Sequence, residues 1–224
     1  MSSLDSLESI VLGLVKEYLA KKTFFSITDI IEFVNNRVRL NPNLNKNKIE
    51  LIIKSLIKKK TIIPGTRLMK NNIIENPKRN EIYNFIKRNP SNINDIMKTL
   101  KIGSNQALWH LSCLEKFEFV RSEKLNNHRI FFEIDSNPKL DKFYFYLNKD
   151  IVLKIIEFLS KEEKPLKITE IANGMEKNHT TIKKYISILE NLKLVETEKE
   201  KNRILFKLNL KRYNKVRKLI HGDR

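Results

Sequence analysis

Residues 102–120 read "IGSNQALWHLSCLEKFEFV", and they decide how the chain folds. Ala107, Leu111 and Leu114 recur at helical spacing, so the pattern predicts a helix that starts near Gly103–Ser104 and buries that side. At 100° per residue Trp109 falls almost opposite the buried side, with Asn105, Ser112 and Lys116 around it. This is the chain's one tryptophan. A tryptophan that faces outward needs something to pack on it or something to bind.

Working outward, the same stretch occurs twice. "INDIMKTLKIGSNQALWHLSCLEKFEFV" (93–120) lies over "ITEIANGMEKNHTTIKKYISILENLKLV" (168–195) without a gap, at an offset of 75 residues. Ile93, Ile96 and Leu100 match Ile168, Ile171 and Met175, while Ala107, Leu111, Leu114 and Val120 match Ile182, Ile186, Leu189 and Val195. The shared positions are mostly the apolar ones, as expected of one core under two different surfaces. An amphipathic helix precedes each segment ("PKRNEIYNFIKRN", "DIVLKIIEFLSKEE"). A charged stretch and an alternating strand follow each ("FVRSEKLNNHRIFFEI", "LVETEKEKNRILFKL"). Alternation at Ile130–Phe132–Ile134 and Ile204–Phe206–Leu208 predicts half-buried strands. Asn126–Asn127–His128 and Glu200–Lys201–Asn202 supply turn chemistry at the tips.

The order is therefore three helices, strand, tip, strand, written twice. A weaker third copy lies at the N-terminus, where Ile49, Ile53 and Leu56 repeat the spacing but the second strand and charged tip shrink to "TRLMKNN". The fold expected is mainly α with small β-wings, built of tandem winged helix-turn-helix modules, two clear and one degenerate. The boundaries are 1–75 for the degenerate module, 76–136 and 150–209 for the clear ones, 137–149 for a helical connector and 210–224 for a basic tail.

Composition limits the function. The 224 residues carry 44 Lys plus Arg against 26 Asp plus Glu, a net charge of +18 that attracts polyanions, nucleic acid first. Richness in Asn, Lys and Ile also suits an AT-rich genome, which raises lysine content without any functional reason. A single cysteine, Cys113, excludes an internal disulfide framework and a cysteine-based zinc cluster. The N-terminus lacks a signal peptide's basic start and cleavage site, and no apolar run approaches the roughly 20 residues of a membrane span. The expectation is a cytoplasmic protein without cofactor or metal. No phosphate loop, HExxH or GxSxG motif stands in the chain, so no enzyme is expected.

Residues 73–134 resemble the archaeal winged-helix transcription regulators, in particular ArsR-like members. In those, a His-Leu pair in the third helix is followed by a leucine three residues on. His110–Leu111 and Leu114 hold those positions, and Asn76, Arg79, Ile82 and Pro90 fit the first-helix entry. The resemblance is good over 76–136, moderate over 150–209 and poor over 1–75. It implies sequence-specific double-stranded DNA binding and transcriptional control, and tandem proteins of this type include the euryarchaeal regulator of archaellum genes. Two departures stand out. The Cys/His clusters of ArsR-type metal sensors are absent, so metal sensing does not carry over. Trp109 stands where relatives often have small polar residues.

A helix fits the major groove, a preceding helix braces it, and a wing reaches neighbouring phosphates. In the second module the outward candidates are Asn105, Gln106, Trp109, Ser112 and Lys116, with His110 at the flank. In the third they are His179, Thr180, Thr181, Lys184 and Ser187, with Tyr185 at the flank. Wing cations are Lys124 and Arg129, then Lys199, Lys201 and Arg203. Neutralising about ten phosphates gives a log–log salt slope of roughly −9.

Several roles stay open. Trp109 can touch sugar or a thymine methyl, pack on another domain or partner, or be half buried. Phe143–Tyr144–Phe145–Tyr146 covers most of a helix circumference, so it serves as glue between modules or as a homodimer interface. Leu51 replaces Trp109 in the first module, which suits packing or partner binding, for example to the transcription machinery. Against the DNA reader stand a protein-interaction adaptor, in which the third helix is covered by a partner, and RNA binding by the same basic surface.

Overall fold

The computed structural model describes residues 3–22, 26–201 and 203–222. The first stretch contains helices α1 (Ser3–Lys21), α2 (Ile27–Arg37), α3 (Lys46–Lys58) and the short α4 (Lys70–Ile73). Next come α5 (Pro77–Arg88), β1 (Ser91–Asn92), α6 (Ile93–Leu100), α7 (Ser104–Lys116), β2 (Val120–Leu125) and β3 (His128–Glu133). A 3-10 turn (Pro138–Leu140) leads to α8 (Asp141–Leu147). The chain then continues through α9 (Asp150–Ser160), α10 (Ile168–Gly174), α11 (His179–Asn191), β4 (Val195–Glu200), β5 (Arg203–Leu208) and α12 (Leu210–Gly222). One sheet has strand order β1-β3-β2, the other pairs β4 with β5. Among the described residues no helix is long and apolar enough to cross a membrane.

The 75-residue offset holds to the residue: α11, β4 and β5 begin and end 75 positions after α7, β2 and β3. Leu166, 75 positions after Ser91, bridges Phe206 through two backbone hydrogen bonds of 3.0 and 2.7 Å. Even the unusual backbone recurs, because Lys101, Glu118 and Asn126 have positive φ, and so do Glu176, Lys193 and Lys201. These residues reverse the chain at helix ends and wing tips. After α7, the Glu118 N–H donates to the Glu115 carbonyl (3.0 Å) and the Phe119 N–H to the Leu114 carbonyl (2.9 Å). After α11, Lys193 and Leu194 donate to Glu190 and Leu189, both at 2.8 Å. The last-turn carbonyls are thereby satisfied by a left-handed cap, a place where glycine is the usual occupant.

The N-terminal copy keeps this junction and little beyond it. α3 also spans 13 residues, Lys60 is left-handed, and Lys60 and Thr61 donate to Ile57 and Leu56. Among the described residues its wing is one antiparallel bridge, Ile62 to Met69. Residues such as Val15, Ile30, Val34, Ile49, Ile53 and Leu56 form its core. α2 starts with a capping box, the Asp29 N–H donating to Ser26 Oγ (3.1 Å) and the Ser26 N–H to Asp29 Oδ2 (3.2 Å).

By contacts the chain divides into two units, one of residues 1–87 with 92–123 and one of 88–91 with 124–224, so the division passes through the stretch expected as the module 76–136. The core of the second unit joins Ile155, Ile156, Ile182, Ile186 and Leu189 to the whole aromatic run of α8. Phe143, Tyr144, Phe145 and Tyr146 are all buried, and the Asn126 side chain donates to the Tyr146 hydroxyl at 2.8 Å. That run is glue within one unit and has no surface left for a sister chain. The expected basic tail is a helix whose Val216 and Ile220 complete the same core.

The strand pattern needs two corrections. Ile130, Phe131 and Phe132 are all buried, so β3 is covered on both faces rather than alternating. In β5 only Phe206 and Leu208 turn inward, while Ile204 is exposed near the tip. Asn202, expected in that tip, lies outside the described residues.

Candidate nucleic-acid interface

On α7 the helical wheel is obeyed at five positions: Asn105, Gln106, Trp109, Ser112 and Lys116 are exposed. Leu108, missed in the sequence reading, shares that face at 51% exposure beside Trp109 at 53%. The indole is supported from behind. Arg79 of α5 is 2% exposed, and its guanidinium carbon sits 4.9 Å from the centre of the Trp109 ring. One guanidinium N–H donates to the Ile73 carbonyl at 2.9 Å, and the Arg79 backbone N–H is capped by Asn76 Oδ1 at 3.0 Å. A cation against the π face of tryptophan is attractive, more so out of water. Trp109 thus packs on one side and is open on the other.

His110 corrects the sequence reading. It was placed on the flank of the DNA face, yet it is 3% exposed and lies edge-on to Trp109, with ring centres 4.8 Å apart. Burial, then the nearby charges of Arg79 and Lys78, push its pKa below the ordinary histidine value, so it is neutral near pH 7. It belongs to the packing under the face and cannot contact a phosphate. The wheel placed His110 by angle alone and took no account of what packs on that side of the helix, the Trp109 ring included. Burial likewise pushes the Cys113 thiol up.

On α11, His179, Thr180, Lys184 and Ser187 are exposed, while Thr181 and Tyr185 are half buried. Lys183, also missed, is exposed beside Lys184, whose ammonium lies 5.8 Å from the Tyr185 ring centre. Asn178 caps this helix, its Oδ1 accepting from the Thr180 N–H at 2.8 Å. Gly103 holds the corresponding place on α7 and offers no side chain.

The wing cations Lys124 and Arg129 are exposed, with the Arg129 guanidinium 5.2 Å from the Phe131 ring centre. They belong to the second unit and the α7 face to the first. Lys199, Lys201 and Arg203 are exposed as well, but β4 also exposes Glu196, Glu198 and Glu200, and Arg203 pairs with Glu200 in the ladder. This mixed wing is a weaker anion attractor than its lysines suggest. The sequence reading marked 210–224 as basic but named no candidate there, whereas α12 exposes Lys211, Lys215, Arg217 and Lys218. The signal was five Lys and Arg with no Asp or Glu between Leu210 and Gly222. On α3, Leu51 is 67% exposed and Lys54 is held by Glu50 at 2.6 Å.

Comparison with known proteins gives three likenesses of unequal weight. Residues 146–200 match the family described as the winged helix-turn-helix transcription repressor HrcA, DNA-binding; the match includes all of α9, α10, α11 and β4. The chain is similar to an uncharacterized HTH-type transcriptional regulator of Methanocaldococcus jannaschii, 28% identical over 209 residues. That alignment takes in 90% of this chain and 53% of the relative, so the chain spans about half the length of the curated protein it matches. A crystal structure of the bacterial selenocysteine-specific elongation factor EF-Sec covers 91% of this chain and 30% of its own. Its identity is 13% and its TM-score 0.28, which is too slight a likeness to carry an argument. The matched family and the element order agree on the fold, which is a mainly α winged helix-turn-helix with small antiparallel sheets.

Proposed function

We propose that this protein is a sequence-specific double-stranded DNA-binding transcription regulator, made of tandem winged helices and acting at promoters. The observation that carries the proposal is the exposed Thr180–Lys183–Lys184–Ser187 face of α11, which lies inside the segment that matches a DNA-binding winged helix. α7 supplies a second reading face. With a net charge of +18, association with a duplex is favoured at long range, and counterion release makes it steeply salt-dependent. The test is a titration of genomic duplex fragments by the full chain at rising salt, followed by a footprint. A regulator prefers particular fragments by about a thousandfold or more over bulk DNA.

The finer reading, an activator of archaellum genes, rests on the family resemblance. Protection upstream of those genes supports it, and protection elsewhere removes it. A second reading applies to the N-terminal copy, where Leu51 and Leu40 are exposed on and beside helices lacking a full wing. That copy is a partner-binding element of the adaptor kind. Leu51→Lys that leaves DNA binding intact but abolishes assembly with transcription machinery supports this role.

A further inference from the structure

We infer that α7 reads A·T base pairs in the major groove, with Leu108 and Trp109 lying against thymine 5-methyl groups and Asn105 and Gln106 hydrogen-bonding adenine; this rests on the DNA-binding reading above. Asn105, Leu108, Trp109 and Ser112 fall on one arc of the helix, and all four are exposed. Asn and Gln side chains match the donor and acceptor pair on adenine, and apolar side chains match the methyl of thymine. The residues that best read guanine are Arg and Lys. From Ser104 to Glu115 α7 has neither, and its one lysine is Lys116 in the last turn, away from the N-terminal end that meets base edges.

Arg79 completes the argument as a positioning residue. A tryptophan free to turn through its rotamers is a poor reader of a single methyl group. Here the guanidinium, itself buried and tied to the Ile73 carbonyl, covers one face of the indole and leaves the other to solvent. At the corresponding places α11 has Lys183 and Lys184 in place of Leu108 and Trp109, a pair suited to phosphate. Two helices of identical length thus offer different chemistry at the same two positions.

The experiment uses the full chain to enrich duplexes from a randomised pool. The enriched site is then rebuilt with deoxyuridine at each thymidine in turn, which deletes one methyl and keeps the base pair and backbone. The expected result is an A·T-rich element at which one or two uridine positions bind about fourfold more weakly, together with a change in the emission of Trp109. Leu108→Ala and Trp109→Phe should each bind more weakly and become indifferent to one of those positions. A site that no uridine weakens, or one whose positions relaxed by Trp109→Phe are G·C, overturns the A·T assignment and leaves the regulator standing. A pool from which no duplex is enriched overturns the regulator itself and the A·T reading with it.

Discussion

α7 and α11 have the same length, the same left-handed cap and the same following strand, yet they turn different chemistry to the solvent. α7 presents Asn105, Leu108 and Trp109 over a buried arginine and has one lysine against one glutamate. α11 presents Thr180, Lys183 and Lys184 and has two lysines against one glutamate. The difference separates two tasks that a DNA reader must perform. Cations on a helix face strengthen binding to every sequence, whereas amides and apolar groups contribute where the base edge fits them. On the proposed function, the backbone is held constant while the tasks are distributed between the copies.

The hardest blow to the comparison falls on the shared core. Leu114 and Leu189 occupy equivalent, fully buried places, so Leu114→Ala and Leu189→Ala should each cost about 2–5 kcal/mol in denaturant unfolding. A large inequality would show that the two cores are not packed alike. Next in size is the electrostatic contrast. Lys183→Ala with Lys184→Ala should lower the salt slope of duplex binding by about two units and weaken all sequences alike, whereas Leu108→Ala should leave the slope unchanged and blur sequence preference.

A smaller contrast is one of pH. His110 is buried and its pKa is depressed, so the folded state disfavours its proton, while the unfolded chain takes it up near the ordinary value. The stabilising difference is full above about pH 6.5 and is lost as pH falls from there through the folded pKa. Thermal melts between pH 7.5 and 5.5 should show this slope, and His110→Tyr, which installs the residue found in α11, should flatten it. The smallest effects concern the caps. Glu118→Gly should stabilise by about 1 kcal/mol by relieving the left-handed backbone. Gly103→Asn, which copies Asn178, should add a few tenths, both read from the midpoint of chemical denaturation.

The repeat was legible in the sequence because Ile93, Ile96, Leu111 and Leu114 and their partners must meet inside a core, and cores tolerate little change of pattern. The start of α7 near Gly103–Ser104 followed from the same pattern. The outward set of α7 was legible too, since burial of Ala107, Leu111 and Leu114 fixes the opposite face. What escaped were contacts made across helices. In the sequence Arg79 fits the first-helix entry of the family resembled, and only the fold places its guanidinium against Trp109, near the buried His110. α12 was read by its charge, whereas two apolar residues, Val216 and Ile220, decide where it docks. Alternation failed in β3 because it marks a strand with one wet face, and Phe131 has none.

The left-handed residue after each third helix has a consequence for how such a chain can change. Glu118 and Lys193 fix the direction in which the next strand departs, and they do so through main-chain bonds that take no account of the side chains on the exposed ridge. Mutational drift on one ridge therefore leaves the departure of the hairpin behind it unchanged. On the proposed function, a lineage carrying this duplication retargets one head while the other holds its old site, so new regulons need not begin with the loss of an old one.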